Sequence, residues 1–203
     1  MRASMKHAWI ARAAALALSA LFLAGCGNGH APWHSTNIDG AMPALQFQMT
    51  RVNDGKPVTG KDYRGKVVLL YFGYTHCPDV CPTTLSNINL ILEDLGKRKA
   101  NDIRVLFVTV DPNRDTPAIL KSYVAAFAPQ IDGLRGTPNQ LAIMARRYRV
   151  AYNVIPPHDD KPYTVYHSNG VFMFDRTGRV RLVTMNTDNT KGVASDLNRL
   201  LAE

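Results

Sequence analysis

The stretch that decides the fold is Val67-Val68-Leu69-Leu70-Tyr71-Phe72-Gly73-Tyr74-Thr75-His76-Cys77-Pro78-Asp79-Val80-Cys81-Pro82. It opens with a short, continuous apolar run, which is typical of a strand buried on both faces. Beyond it, residues 83–97 carry leucine and isoleucine at helical spacing. The pattern predicts a strand that leads into a helix, with two thiols at the junction.

The position of the two thiols indicates their chemistry. Cys77 and Cys81 fall at or just before the expected helix N-terminus, where the dipole and free backbone N–H groups favour thiolate over thiol. Helical i, i+4 spacing also puts both sulfurs on one side of the turn. Two converging thiolates either close a disulfide or hold a soft metal ion, and these residues alone leave both alternatives open.

The N-terminus indicates export. Basic residues precede an apolar stretch at 13–24, which is too short for a stable membrane span but suits a secretory signal. Its end, Leu23-Ala24-Gly25-Cys26, resembles the lipobox of bacterial lipoproteins. That resemblance implies cleavage before Cys26, lipidation of Cys26 and a membrane-anchored domain that faces the periplasm. The alternatives are an ordinary cleaved signal peptide and an uncleaved anchor.

These features predict three segments: a lipoprotein signal peptide at 1–25, a flexible tether at 26–40 and one α/β domain at 41–203. An exported, oxidising setting makes a resting disulfide between Cys77 and Cys81 plausible, because lipidation removes Cys26 as a rival partner. The net charge is +8. The clustered basic residues lie near expected helix ends and are not interleaved with aromatic residues. We therefore expect no nucleic-acid partner.

The rest of the chain alternates between strand and helix patterns. We expect strands at 45–49 and 103–110, helices at 118–127 and 137–148, extended segments at 163–167 and 171–175, a hairpin turn at 176–178 and a last helix from Asp188 or Thr190. This order predicts a mixed sheet flanked by helices on both faces. A cysteine motif between the first buried strand and its helix matches a thioredoxin-like fold.

Three ordered motifs carry a family resemblance. They are Phe72-Gly73-Tyr74-Thr75 followed by Cys77-Pro78-Asp79-Val80-Cys81-Pro82, then Val110-Asp111-Pro112 with Arg114-Asp115-Thr116-Pro117, and finally Val165-Tyr166-His167-Ser168. Nearly all of residues 41–203 resemble the Sco/SenC proteins. Members of that family are thioredoxin-fold, membrane-tethered copper proteins that support assembly of CuA, the binuclear copper site of cytochrome c oxidase.

The resemblance implies a ligand set and partners. Cys77 and Cys81 would be thiolate ligands of Cu(I) or Cu(II), His167 the imidazole ligand, and Asp111 a residue close to the metal. The implied partners are the copper-accepting subunit of cytochrome c oxidase, a periplasmic copper donor and a thiol reductant. Two positions depart from the family pattern. Tyr166 stands where the family often has an acid, and this change bears on the orientation of His167. Arg135 interrupts a run that is commonly Gly-Leu-Thr-Gly, and we expect it in a partner-facing loop.

Other interpretations of single residues remain open. The Cys77–Cys81 pair fits a purely structural disulfide, His167 a strand histidine, and Asp111 a turn residue before proline. We expect His76 to point away from the thiols, and Met144, Met173 and Met185 to fill the core. The polar, Pro-rich loop at 155–162 is hypothesised to move, so that His167 approaches or withdraws as copper enters.

Four functions compete at this point. A copper metallochaperone would use Cys77, Cys81 and His167, whereas a thiol–disulfide reductase would cycle the two cysteines between dithiol and disulfide. A copper or redox sensor and a peroxiredoxin-like peroxidase are more distant alternatives. His167 favours copper, because dithiol exchange gives no reason for a distant imidazole to converge on the sulfurs.

Overall fold

The structure is a computed structural model that describes residues 31–157 and 162–203. Residues from Trp33 to Glu203 form a compact unit. The expected signal peptide and Cys26 lie outside the described residues, and so does the centre of the hypothesised mobile loop, 158–161. Residues 33–40, which we expected in the tether, belong to the compact unit, where Thr36 and Asn37 pair with the last strand.

The described residues contain ten strands and four α-helices. The strands are β1 (Thr36–Asn37), β2 (Gln48–Arg51), β3 (Lys56–Thr59), β4 (Val67–Gly73), β5 (Ile103–Thr109), β6 (Ile131–Arg135), β7 (Tyr152–Ile155), β8 (Thr164–His167), β9 (Val171–Phe174) and β10 (Val180–Thr184). The helices are α1 (Val80–Ala100), α2 (Pro117–Ala125), α3 (Pro138–Arg147) and α4 (Thr190–Ala202).

Eight strands form one mixed sheet in the order β1-β10-β9-β4-β5-β6-β2-β3. At its centre β4, β5 and β6 run parallel, and β9 lies antiparallel to β4 on the other side. Every residue of β4 is buried, as the unbroken apolar run predicts for a strand covered on both faces. Strands β7 and β8 form a separate antiparallel pair that carries His167 at its end.

Helices cover both faces of the sheet, which confirms the expected thioredoxin-like α/β class. Tyr71 of β4 and Phe107 of β5 lie side by side on one face of the sheet. On that face Tyr71 contacts the first turn of α1, and Phe107 packs against Tyr123 of α2. Helix α4 packs against α1. Tyr148, the residue after α3, contacts Phe172 and Phe174 on the opposite face. The site-bearing helix is therefore held by the sheet below and α4 beside it.

Several elements differ from the sequence expectation. Strand β2 begins at Gln48 rather than at residue 45, and β1, β3, β6 and β7 were not expected. Arg135 is half-buried at the end of strand β6, so it does not lie in a loop as expected. Its guanidinium donates to the carbonyl of Pro112 at 3.0 Å. None of the helices in the described part of the chain is long and apolar enough to cross a membrane.

Candidate metal centre

Two sulfurs and one imidazole nitrogen converge at the edge of the sheet where β4 ends. One ligand atom from each of Cys77, Cys81 and His167 can be chosen so that all three lie within 4.8 Å of one another. The Cys81 Sγ lies 3.3 Å from the His167 Nε2. Across residues 31–157 and 162–203 this is the only such group of three metal-binding side chains. The tertiary structure therefore brings together the set that the resemblance implied.

The local fold places the two cysteines differently. Cys81 lies in the first turn of α1 and is fully buried, whereas Cys77 lies in the preceding loop and is half-buried. The N-cap residue, Asp79, makes no side-chain capping bond to the helix. Instead the Cys77 sulfur accepts the backbone N–H of Cys81 at 3.4 Å. A sulfur at a helix N-terminus is stabilised as the thiolate by such free donors and by the dipole.

The two thiols have pKa values that are driven in opposite directions. The pKa of Cys77 is lowered to about 3, first by a hydrogen bond from Cys81 and then by His167 and the backbone N–H groups of Asp79 and Cys81, against the opposing effect of burial. The same bond to Cys77, together with burial, raises the pKa of Cys81. Both thiols are free, so the resting disulfide is absent from this structure. The pair therefore consists of an accessible thiolate and a buried thiol that donates to it.

His167 is oriented by its own backbone and by two aromatic rings. Its Nδ1 lies 3.1 Å from the carbonyl of Ser168, which only accepts hydrogen bonds, so Nδ1 carries the proton. When the imidazole is neutral, the lone pair of this tautomer is on Nε2, the nitrogen that faces Cys81. Tyr71 and Tyr74 pack edge-on to the imidazole at centroid distances of 6.1 and 5.8 Å. A histidine with its proton on Nδ1 is oriented to bind a metal through Nε2.

Tyr166, the tyrosine that stands in place of a frequent acid, points away from the histidine. Tyr166 is 63% exposed and pairs with Asn153 across the β7–β8 ladder, while the next pair is His167 with Tyr152. Because successive side chains of a strand point to opposite faces, Tyr166 and His167 face away from each other. The substitution therefore changes the outer surface beside the cluster rather than its interior.

Asp115 is a residue that sequence reasoning missed. Thr116, and not Asp115, caps α2, and Asp115 is fully buried. Its carboxylate accepts hydrogen bonds from the Thr75 N–H and hydroxyl and from the Thr109 hydroxyl. His76, 45% exposed at its side chain, lies 3.6 Å from the same carboxylate and, as expected, outside the cluster. Asp115 therefore anchors the loop that leads to Cys77, and only its tertiary partners disclose that role.

Asp111 lies outside the three-residue group and acts through its neighbours. Its buried carboxylate accepts from the Arg114 Nε at 2.5 Å and from the Tyr163 hydroxyl at 2.9 Å. The Arg114 guanidinium also stacks 3.6 Å from the centre of the Tyr163 ring and lies 5.7 Å from that of Tyr74. Since Tyr74 packs on His167, the Asp111–Arg114 pair supports the aromatic wall of the cluster.

Gly73 provides the space that Cys81 occupies. A Cβ at this position would stand 2.9 Å from the Cys81 sulfur and 2.7 Å from a ring carbon of Phe107. Neither neighbour has room to withdraw, because both side chains are fully buried. Glycine is therefore required at this position because a side chain would not fit, and not because of the backbone conformation.

The prediction that three methionines fill the core is right for two of them. Met144 and Met173 are buried in the core, whereas Met185 is 58% exposed, so the core assignment of Met185 was wrong. The cause is local: β10 ends at Thr184, and the chain turns there through a bond from the Thr184 hydroxyl to the carbonyl of Asn186.

The fold and the cluster together define a thioredoxin-like protein with a Cys-Cys-His group whose geometry suits a metal ion. Thiolate sulfurs and imidazole are the donor set that suits copper. The family model described as SCO1/SenC matches residues 38–202, and the chain belongs to that family. The resemblance drawn from the three motifs is therefore confirmed.

Known relatives agree with this membership. Mitochondrial protein SCO2 of Saccharomyces cerevisiae is 37% identical over 151 residues, which are 72% of this chain and 49% of the relative. The human mitochondrial SCO1 homolog is 37% identical over 133 residues, 65% of this chain and 44% of the relative. The chain thus spans about half the length of the curated relatives it matches. The structure of Bradyrhizobium japonicum ScoI with copper bound is 41% identical, with a TM-score of 0.70, covering 78% of this chain and 99% of that chain.

Proposed function

We propose that this protein is a copper metallochaperone that supports assembly of the CuA site of cytochrome c oxidase. The observation that carries the proposal is the convergence of Cys77, Cys81 and His167 within 4.8 Å. Copper binding by related proteins supports it: ScoI of B. japonicum and Sco1 of yeast have structures with copper bound.

The donor chemistry suits a carrier rather than a permanent site. Two soft thiolates favour Cu(I), and the neutral imidazole accepts either oxidation state. Three protein ligands leave a coordination position for a ligand of the partner. Because Cys77 is half-buried while Cys81 is fully buried, an incoming protein would first exchange copper at Cys77. Binding also releases the Cys81 proton, since the thiolate is the form that binds metal.

The cellular context is part of the same proposal. Cys26 would carry the lipid and hold the domain on the periplasmic side of a membrane, within reach of the copper-accepting subunit of cytochrome c oxidase. A periplasmic copper donor and a thiol reductant would load and reset the pair. Metabolic labelling with a radioactive fatty acid tests the anchor: Cys26→Ser abolishes labelling if the lipobox interpretation is right, and unchanged labelling contradicts it.

A thiol–disulfide reductase is the second candidate, and the asymmetry of the cysteines favours it. The Cys77 thiolate would attack a disulfide of the oxidase subunit, form a mixed disulfide and release one partner thiolate. Cys81, once deprotonated, would then attack Cys77, close the Cys77–Cys81 disulfide and release the second thiolate. The partner gains two electrons and this pair loses two, so an external thiol reductant must restore it.

An anaerobic titration of the reduced full-length chain with Cu(I) distinguishes the two candidates. One tightly bound copper per chain, with affinity lost in Cys77→Ser and His167→Ala, is the result expected for the chaperone. His76→Ala is the matched control, because this imidazole neighbours Cys77 but lies outside the cluster. If His167→Ala binds copper normally and still reduces a copper-free oxidase subunit, the reductase is the function.

A further inference from the structure

The end of the domain remote from the metal centre carries a run of basic side chains. Helix α1 starts at the two thiols and rises by about 24 Å over residues 80–95. Gly96, whose φ is 75°, then interrupts the helix. Lys97, Arg98 and Lys99 follow in the last turn, and all three are exposed. These three cations therefore lie at the opposite end of α1 from the thiols.

A cavity of about 360 Å³ joins these residues to the ends of two other elements. Its wall includes Arg98 and Lys99 of α1, Arg176 of the turn between β9 and β10, and Leu201 near the end of α4. The Lys99 ammonium donates to the side-chain oxygen of Asn198 in α4 at 2.7 Å. The ends of α1 and α4 and the β9–β10 turn therefore form one continuous surface.

This surface, called here the basic end and defined as Lys97, Arg98, Lys99 and Arg176, has an excess of positive charge. Among the described residues, the first three form no ion pair, and Arg176 shares the Asp102 carboxylate with a lysine. Cations at a helix C-terminus complement the dipole, but that effect is confined to the last turn. The outward-facing charge stays available to an anionic partner.

The chain enters the domain beside the basic end. The buried carboxylate of Asp196 in α4 accepts the backbone N–H groups of residues 34–35 at 3.0 and 2.7 Å. One turn further along α4, the Arg199 guanidinium stacks 3.6 Å from the centre of the Trp33 ring. Arg199 directly follows Asn198, the residue that contacts the basic end. Trp33 therefore lies at the margin of this surface.

The proposed lipid anchor is within short reach of that margin. Residues 27–32 separate Cys26 from Trp33, so even a fully extended chain spans at most about 25 Å. Tryptophan is enriched at membrane–water interfaces, and clustered lysine and arginine are attracted to anionic lipid headgroups. An acidic protein surface would match the charge equally well, but the short tether favours the membrane as the partner.

We propose that the basic end docks on anionic phospholipid headgroups of the membrane that holds the lipid anchor, with the metal centre turned away from that membrane. This inference rests on the lipidation of Cys26 proposed above. The acyl chains hold the protein on the membrane, and the electrostatic attraction of the basic end orients it. Cys77, at the far end of the domain, then faces a copper-accepting protein rather than the lipid.

The first test uses the fluorescence of Trp33. Trp9 lies in the proposed signal peptide, so Trp33 is the single tryptophan of the mature chain. The mature lipidated chain is reconstituted in vesicles of phosphatidylglycerol and phosphatidylethanolamine, or of phosphatidylcholine alone, each with a nitroxide-labelled headgroup. We expect about twofold or stronger quenching on the anionic vesicles, and loss of that difference in about 1 M NaCl. Equal quenching on both lipids overturns the proposal, because the tether alone would explain it.

Charge reversal at residues 97–99 (Lys97→Glu, Arg98→Glu, Lys99→Glu) should abolish the difference between the two lipids. A control with the same change in net charge reverses three exposed basic residues on other elements and should keep the wild-type difference: Lys61→Glu, Lys121→Glu and Arg146→Glu. The same loss in both variants would make the attraction a matter of net charge and overturn the assignment to the basic end.

The second test measures the orientation of the domain. A bimane group attached to Cys77 of the reconstituted wild-type chain should remain unquenched on the anionic vesicles, and quenching as strong as that of Trp33 overturns the proposed orientation. Flotation in about 1 M NaCl tests the anchor separately, because salt screens the basic end and leaves acyl chains inserted. A chain that leaves the vesicles there overturns both the anchor and the docking. A chain that stays but shows equal Trp33 quenching on both lipids overturns the docking alone.

Discussion

The Thr75 hydroxyl donates to the buried Asp115 carboxylate at 2.6 Å, across forty residues of sequence. The Thr75 backbone N–H reaches the same carboxylate at 3.1 Å, and the Thr109 hydroxyl at 2.5 Å. The loop that presents Cys77 is thus tied to the start of α2 and to the end of β5 through one side chain. Two hydrogen bonds from Thr75 therefore hold the loop to a fixed carboxylate and keep the first thiolate in place before any metal arrives.

Replacing Asp115 with alanine is expected to loosen this loop and destabilise the protein. Buried donors on Thr75 and Thr109 would lose their acceptor, which costs about 2–4 kcal/mol in the free energy of unfolding. Urea denaturation measures the loss, and the copper titration should show weaker binding. Glu93→Ala, which removes an exposed carboxylate that accepts from Asn89, is the control and should change stability by less than about 0.5 kcal/mol. Equal stability of the two variants would contradict the anchoring role.

Adding a methyl group at Gly73 is expected to harm both packing and metal binding. The new Cβ would stand 2.9 Å from the Cys81 sulfur and 2.7 Å from Phe107, and overpacking of this kind costs about 1–3 kcal/mol. Gly133→Ala is a matched control, because its Cβ would stand 2.8 Å from Val52, far from any cluster ligand in sequence. Both variants should lower the urea midpoint, and only Gly73→Ala should weaken copper binding. Equal copper affinities would show that Cys81 adjusts freely.

The alkylation rate of the metal-free protein is expected to be nearly independent of pH. Cys77 is ionised above its lowered pKa of about 3, so its reaction with iodoacetamide should stay almost constant from about pH 8 down to about pH 5. An ordinary thiol, with a pKa near 8.5, would slow about tenfold per pH unit over that range. Cys81→Ala removes the hydrogen bond that is the main cause of the lowered pKa and should restore much of that slope. A steep profile for the wild-type chain would mean that Cys77 is held as a thiol.

The Asp111–Arg114 pair is expected to show a measurable coupling energy. Both side chains are largely buried and joined at 2.5 Å, so a double-mutant cycle with Asp111→Ala and Arg114→Ala should give about 1.5–3 kcal/mol. The more exposed Arg51–Asp54 pair, at 26% and 33% side-chain exposure, should give less than about 1 kcal/mol. Urea unfolding of the wild type and of the three variants of each pair measures both cycles. Similar values for the two pairs would remove Asp111 from the support of the His167 wall.

Sequence patterns located the long, strongly patterned elements and missed the short ones. Strands β4 and β5 were predicted because a strand buried on both faces must be continuously apolar. Strand β6 mixes Asp132 and Gly133 with apolar residues, and β3 contains Pro57. Neither strand therefore shows a clear alternation of apolar and polar residues. Pro57 is tolerated because β3 is an edge strand, where a missing N–H breaks no ladder.

By itself the sequence determined the two-thiol motif at the start of a helix, the thioredoxin-like order of elements and, through three ordered motifs, the family. Those features are local, since strand burial and helix spacing act over a few residues. Only the tertiary structure decided that His167 meets Cys81 through Nε2, that Asp115 ties down the Cys77 loop, and that Met185 stays at the surface. The first two depend on contacts between chain segments far apart in sequence, where a side chain's partner is set by how the sheet and helices pack. The exposure of Met185 follows from the residue at which β10 ends.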